Sequence, residues 1–462
     1  MSKPKIFSHS VGAVLGVLSL AALDTGTAFA ASATPSGTVT VDAELGHSVL
    51  PIGKPGKIYL RLSVKGAPIA GRAKRPPVNV ALVLDRSGSM KGERIASAKA
   101  AAKVALERLS SDDIVALVAY NHGVDVLQRA TRLGSDHALG AKISALEADG
   151  RTALHAGVVA GADEVKRNLK ADRVNRVILL SDGLANVGPS SPRELAELGR
   201  ELGSAGMSVT TIGLGLDYNE DLMSRLAAAS DGNHAFVEDA RDLTRIFDAE
   251  FGDALSITAQ DIEIEIECRI GYKPVRVLGR EATIEGNRIR MKLNQLQGAN
   301  ERYFVVELDA PEVRKAGEAE VANVKVSYLE LGSGDRRQAE TRAAGRYSES
   351  ADEVEKSINK AVMSQVSTQV ATETSEKAVE LRDKGDIAGA RKLLEGNAAY
   401  LKNARDLYGS GEGAASPAAV KELQELEMKQ SEAASNLDAQ AWEKTRKSMR
   451  YDQHKSKMQQ KY

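Results

Sequence analysis

The segment Asp85-Arg-Ser-Gly-Ser-Met90 places a carboxylate and two hydroxyls at alternate positions, Asp85, Ser87 and Ser89, at the end of an apolar run. Several chemistries use such residues, and spacing separates them. A phosphate cradle needs glycines in the order GxxxxGK[ST], and a leading carboxylate would repel the phosphate. An aspartyl nucleophile of the phosphatase kind needs a second Asp two positions on, where Ser87 stands instead. A serine nucleophile on a strand-to-helix elbow needs glycines in the frame GxSxG, which neither serine has. A calcium loop of the EF-hand type needs Gly sixth and Glu twelfth. Counted from Asp85, those places hold Met90 and Ala96. A seat for a hard divalent ion survives, because carboxylate and hydroxyl oxygens on one turn are donors that Mg²⁺ accepts at about 2.0–2.1 Å.

Three side chains do not complete an octahedron, so other loops must contribute. Thr152, in DGRTALHAG, precedes a helical pattern, and Asp182 ends the apolar run ILLSD. The competing reading is that these residues are helix caps and turn formers, a common use of Ser, Thr and Asp.

The elements that would hold them follow from periodicity. From Val78 apolar runs alternate with helical patterns: strands at 78–85, 113–120, 124–130, 176–183 and 207–215, and helices at 93–109, 136–148, 153–169, 191–204, 219–230 and 240–253. This alternation predicts a doubly wound, Rossmann-like α/β domain with a mostly parallel central sheet and helices on both faces. In such sheets ligands bind at the carboxyl ends of strands, where Asp85 and Asp182 lie. On either side the period is two: residues 37–75, and 255–347, exemplified by ITAQDIEIEIEC. The two β segments are expected to pair, so that the α/β domain, residues 76–254, is inserted into a β-sandwich. Residues 348–462 are expected to form a helical region, with a turn at Lys384-Gly385-Asp386 and a last helix from Ala418 through Trp442. The basic tail bearing Arg446, Lys447, Arg450, Lys455, Lys457 and Lys461 reads as a solvated or disordered end, with an acidic partner or membrane surface as the alternative.

Asp85, Ser87 and Ser89, followed by Thr152 and Asp182, resemble the metal-ion-dependent adhesion site of the von Willebrand factor type A domain, over about residues 76–254. The resemblance implies that Ser87 and Ser89 contact the ion directly. It implies that Asp85, Thr152 and Asp182 do so directly or through water, and that a protein partner's Asp or Glu completes the coordination. It also implies recognition or adhesion and no enzymatic activity. The overall layout is similar to exported bacterial type A proteins and to the inter-alpha-trypsin inhibitor heavy chains. Serine and carboxylate oxygens suit Mg²⁺, Mn²⁺ and Ca²⁺ alike; Mg²⁺ is the expected ion.

Composition sets further bounds. The 462 residues carry a formal net charge of -1 and 4% aromatics, which gives neither a field nor stacking platforms for nucleic acid. Lys3 and Lys5, an apolar run over 11–23 and the Ala28-Phe29-Ala30 signal predict a cleaved export segment, residues 1–30, and a periplasmic or secreted protein with no later membrane span. The single cysteine, Cys268, excludes internal disulfides and is expected in a buried strand. Arg86 and Arg151 flank the candidate ligands, as steering groups or as solvated loop residues. His155 and His122 are the side chains a metal-assisted hydrolase would call on. A further rival is a scaffold whose helical region carries the interaction.

Overall fold

The run Val78–Asp85 is buried at all eight positions. Such a strand must be covered on both faces, as in the centre of a parallel sheet. A computed structural model describes residues 37–68, 75–134 and 138–460. The export segment expected over residues 1–30 lies outside the described residues.

In chain order, β1 (Val39–Leu45), β2 (Val49–Pro51) and β3 (Gly56–Gly66) come first. The α/β part follows: β4 (Val78–Asp85), α1 (Glu93–Glu107), β5 (Ile114–Tyr120), β6 (Val124–Arg132), α2 (Ala138–Ser144), α3 (Leu154–Lys166), β7 (Val174–Ser181), α4 (Pro192–Ser204), β8 (Ser208–Leu214), α5 (Glu220–Ala229), β9 (His234–Val237) and α6 (Leu243–Leu255). Next come β10 (Ile257–Cys268), β11 (Lys273–Val277), β12 (Thr283–Glu285), β13 (Arg288–Gln297), β14 (Glu301–Ala310), β15 (Gly317–Glu330) and β16 (Arg336–Ser348). The helices α7 (Ala351–Lys356), α8 (Lys360–Asp383), α9 (Ile387–Tyr408), α10 (Pro417–Ser435) and α11 (Ala439–Met458) close the chain.

The α/β sheet has the order β6-β5-β4-β7-β8-β9. All pairs are parallel except β5 with β6, the edge strand. Along β4, Val80, Leu82 and Leu84 face α1 and α6, while Ala81 and Val83 face the side covered by α3, α4 and α5. Two glycines let α3 lie close on the sheet. A methyl group at Gly161 would stand 2.4 Å from Val83 Cγ2, and one at Gly157 2.7 Å from the Tyr120 ring. Because β4 lies between β5 and β7, the ends Asp85, Tyr120 and Ser181 meet at one mouth of the sheet.

The flanking strands form two sheets, β1-β3-β14-β11 and β12-β13-β10-β15-β16-β2. Strands from before and after the α/β domain are therefore hydrogen-bonded neighbours: β3 pairs with β14, and β2 with β16. The sheets share one core, including Leu60, Leu62 and Phe304 from one and Ile264, Ile266 and Val326 from the other. Cys268 is buried in this core, where burial raises its thiol pKa to about 11. On the outer face of β10 and β13, Glu263, Glu265 and Glu267 stand opposite Lys292, Arg290 and Arg288, pairs of opposite charge across the ladder.

Two expectations for the C-terminal region need correction. The last helix does not run unbroken from Ala418 through Trp442. The chain bends after Ser435, and Asp438 starts α11 by accepting bonds from the backbone of Gln440 and Ala441. Nor is the basic stretch a solvated end. It forms α11, which docks on α5, β9 and α8 with Lys447, Gln453 and His454 buried. The attraction is local: Glu220 and Asp221 open α5, and Arg446, Lys447 and Arg450 of α11 pair with them. Acidic residues in a helix's first turn also suit its dipole.

Candidate metal site at the mouth of the sheet

Three loops leave the carboxyl ends of β4, β5 and β7, and main-chain bonds zip the adjoining segments together. Gly88 N donates to Gly150 O at 3.0 Å and Asp149 N to Arg86 O at 2.8 Å. Thr152 N donates to Asn186 Oδ1 at 2.9 Å, and Asn186 N to Thr152 O at 3.1 Å. The Thr152 turn is thereby fixed against both of its neighbours.

This brings Asp85, Ser87, Ser89, Thr152 and Asp182 together. Ser87 N donates to Asp85 Oδ1 at 2.8 Å. Ser87 Oγ and Ser89 Oγ lie 3.1 Å apart, and Ser89 Oγ donates to Asp182 Oδ1 at 2.7 Å. The backbone of Gly183 marks the centre of the hydroxyls. A methyl group there would stand 3.1 Å from Thr152 Oγ1, 3.3 Å from Ser89 Oγ and 3.7 Å from Ser87 Oγ.

Three further residues complete the surroundings. Ser181 Oγ donates to Asp85 Oδ2 at 2.6 Å, and Tyr120 Oη approaches the same oxygen at 3.3 Å. Arg94, on α1, donates to Asp182 Oδ2 at 2.7 Å and to Asp217 Oδ2 at 3.0 Å. Sequence reasoning passed over all three. Ser181 and Tyr120 were legible as polar groups ending the strands beside β4. Nothing in the spacing of Arg94 points to Asp217, which lies 123 positions away.

Burial raises the Asp85 carboxyl to about 6, against the hydrogen bonds from Ser181 and Ser87 that favour its anion. Asp85 and Asp182 are both fully buried. Of the described cations, Arg94 is hydrogen-bonded to this pair. Two buried carboxylates and three converging hydroxyls fit a hard divalent cation by donor type, while the Arg94 guanidinium already answers part of the Asp182 charge. Among the described residues no three His, Cys, Asp or Glu side chains gather as a metal cluster. Three of the five candidate side chains, Ser87, Ser89 and Thr152, offer hydroxyls instead.

The flanking residues take other places. Arg86 is held by Asp149 at 2.8 Å and Asp125 at 2.6 Å, so its charge is answered within the chain. Arg151 is exposed. Among the described residues no hydrogen bond joins His122 or His155 to the five.

Comparison with known proteins agrees with the fold of the α/β part. The family model for the von Willebrand factor type A domain matches residues 79–249. The Synechocystis protein sll0103 is 30% identical over 174 residues, 38% of this chain and 41% of that protein. YfbK of Escherichia coli is 28% identical over 195 residues, 42% of this chain and 34% of YfbK. Human inter-alpha-trypsin inhibitor heavy chain H3 is 28% identical over 169 residues, 35% of this chain and 18% of that protein. The chain thus spans less than half the length of these relatives. Among solved structures, the von Willebrand factor type A protein from Catenulispora acidiphila superposes with a TM-score of 0.66 at 16% identity, covering 85% of this chain and 90% of that one. The ArnB paralog VWA2 from Sulfolobus acidocaldarius gives 0.58 at 16% identity, covering 91% and 97%. Those two likenesses extend over the fold well beyond the α/β part. With a doubly wound sheet, the matched segment and superposable structures in hand, residues 79–249 of the chain are a von Willebrand factor type A domain.

Proposed function

We propose that the protein recognises a protein partner through a divalent cation, expected to be Mg²⁺, held by Asp85, Ser87, Ser89, Thr152 and Asp182. The observation that carries this reading is the convergence of three hydroxyls on the point beside Gly183, next to two buried carboxylates. Type A domains typically mediate protein–protein contacts, which sets the class of activity. Bound there, the ion would supply an electrophilic coordination position for a partner's Asp or Glu. The chain's residues prepare that position. Ser181 and the Ser87 amide hold the Asp85 carboxylate, and Ser89 orients Asp182. Arg94 answers part of the Asp182 charge, so less of the ion's own charge is quenched by the chain.

A non-enzymatic role is part of this proposal because type A domains and their inter-alpha-trypsin inhibitor relatives are typically interaction modules. Export is proposed on the strength of the positive, apolar and Ala-x-Ala pattern of residues 1–30. Among the described residues no helix is long and apolar enough to cross a membrane.

An immobilised peptide array tests the proposal. Each peptide presents one Asp, or Asn in its place, among Gly and Ser. The full chain should be retained by Asp peptides in Mg²⁺, released by EDTA, and not retained after Asp85→Ala. Equal retention on Asp and Asn, or indifference to EDTA, would overturn it.

A further inference from the structure

Helix α11 is attached through polar groups. Of its six buried residues, Lys447, Met449, Gln453, His454, Ser456 and Met458, four are polar. A helix with so little apolar surface is held by charges and hydrogen bonds, and such a segment opens more readily than the core. Its ion pairs to α5 join Arg446, Lys447 and Arg450 to Glu220 and Asp221. Farther along the helix, His454 meets His234 of β9 with the ring planes at 78°. Both rings are buried.

The hydrogen bonds fix the protons of the pair. Gly232 O only accepts, so His454 Nε2 carries a hydrogen and donates it at 3.2 Å. Thr211 Oγ1 gives its hydrogen to Met223 O at 3.1 Å, so His234 Nδ1 donates to Thr211 Oγ1 at 2.9 Å. That leaves His234 Nε2 as the basic nitrogen, buried and without a partner. A proton arriving there meets no acceptor. The charged neighbours do not compensate. Arg302 of β14 and Lys457 of α11 both act on His454 as cations. Tyr218, whose ring lies 6.1 Å from His234, carries Lys447 over its face, and Lys447 is paired with Glu220. The carboxylates acting on Arg302 are Asp231, held by Arg280 at 2.8 Å, and Asp253. Among the described residues no carboxylate bonds to either imidazole.

Protonating either ring in place would bury a charge beside a second imidazole and Arg302. Burial depresses both pKa values, that of His234 to about 4. Docking is therefore favoured at neutral pH and is lost as pH falls from 6.5 towards 4. We infer that His234 and His454 form an acid-operated latch: on acidification α11 leaves β9 and α5, while the type A domain and the sandwich stay folded. Release uncovers Tyr218 and the acidic start of α5, beside the loop whose Asp217 shares Arg94 with Asp182. The latch is independent of any ion at the mouth of the sheet.

Hydrogen exchange of the full chain tests it, read by mass spectrometry at pH 7 and pH 5 and corrected for the intrinsic rate at each pH. Residues 442–458 and 232–237 should lose protection by about twentyfold or more. One imidazole that titrates at 6.5 when released and at about 4 when docked supplies that factor. Strands β4 and β10 should keep their protection. His234→Gln, whose amide replaces the donor to Thr211, should shrink the loss, and adding His454→Gln should abolish it. Histidine proton resonances of the parent give a reading free of any variant: the two buried rings should titrate in step with the loss of α11 protection. Unchanged protection at pH 5, or rings that titrate out of step with it, would overturn the latch. So would an equal loss in β4, which marks global opening, or a loss undiminished in the variants, which assigns it to Glu220 and Asp221.

Discussion

At the scale of single residues, the site depends on a missing side chain. A β-carbon on Gly183 would stand 3.1 Å from Thr152 Oγ1 and 3.3 Å from Ser89 Oγ, crowding oxygens of the candidate site. Gly183→Ala is predicted to lower Mg²⁺ affinity by at least roughly tenfold, the scale of perturbations next to metal ligands. Its thermal midpoint should stay close to the parent, because no apolar core group is lost. Calorimetry and a melting curve on the same sample check both parts; unchanged affinity would place the ion elsewhere. The sequence showed Asp85, Ser87, Ser89, Thr152 and Asp182 because each is a polar residue at the end of an apolar run or in a turn before a helix. It did not show Arg94, whose partner comes from a separate loop, and no periodicity encodes a contact between loops.

Secondary-structure elements introduce a second kind of chemistry, away from the ion. His234 on β9 and His454 on α11 face each other with ring centroids 5.8 Å apart, and both are buried. Thr211, Tyr218, Gly232 and Arg302 surround the pair. Burial lowers the His234 pKa from 6.5 to about 4, and that of His454 well below its usual value. A base whose folded-state pKa is depressed stabilises the fold above its unfolded pKa, and that contribution is lost as pH falls through the folded one. The loss for His234 therefore falls between pH 6.5 and about 4. The shift corresponds to roughly 3 kcal/mol. Glu250 works in the opposite sense. Burial raises its pKa from 4.5 to about 7, so its contribution is lost as pH rises through that window. The discriminating comparison is the slope of urea stability between pH 7 and 4 for wild type and His234→Gln. The wild type should lose more; parallel slopes would mean that His234 titrates normally.

Elements also differed in how plainly the sequence announced them. The parallel strands were legible because both faces are apolar. Strand β16 was not. Its buried positions are Ala339, Ala343 and Tyr347, with Thr341 and Gly345 between them, so small and polar side chains face the core and no hydrophobic alternation results. Strand β11 was masked by its proline and by three exposed positions out of five.

For the whole molecule, the helical region is part of the same packed body as the sandwich and the type A domain. Val362 and Val366 of α8 pack on Leu278, Tyr303 and Val305 of the sandwich, and α11 covers the start of α5. Composition marked the tail only as basic, because the acidic residues that hold it, Glu220 and Asp221, lie more than 200 positions earlier. Deleting residues 349–462 would uncover those apolar groups and leave Glu220, now buried, without Arg446 and Lys447. The truncated protein is predicted to aggregate or to melt well below the full chain. A truncation with an unchanged melting temperature would show that the helices are dispensable for stability.

The central claim is that five side chains at the mouth of the sheet hold a divalent ion. Isothermal titration calorimetry of the full chain with Mg²⁺ and Mn²⁺, beside Asp85→Ala, tests it most directly. One saturable site is expected in the parent and none in the variant. Equal heats in both proteins, or no binding in either, would contradict it.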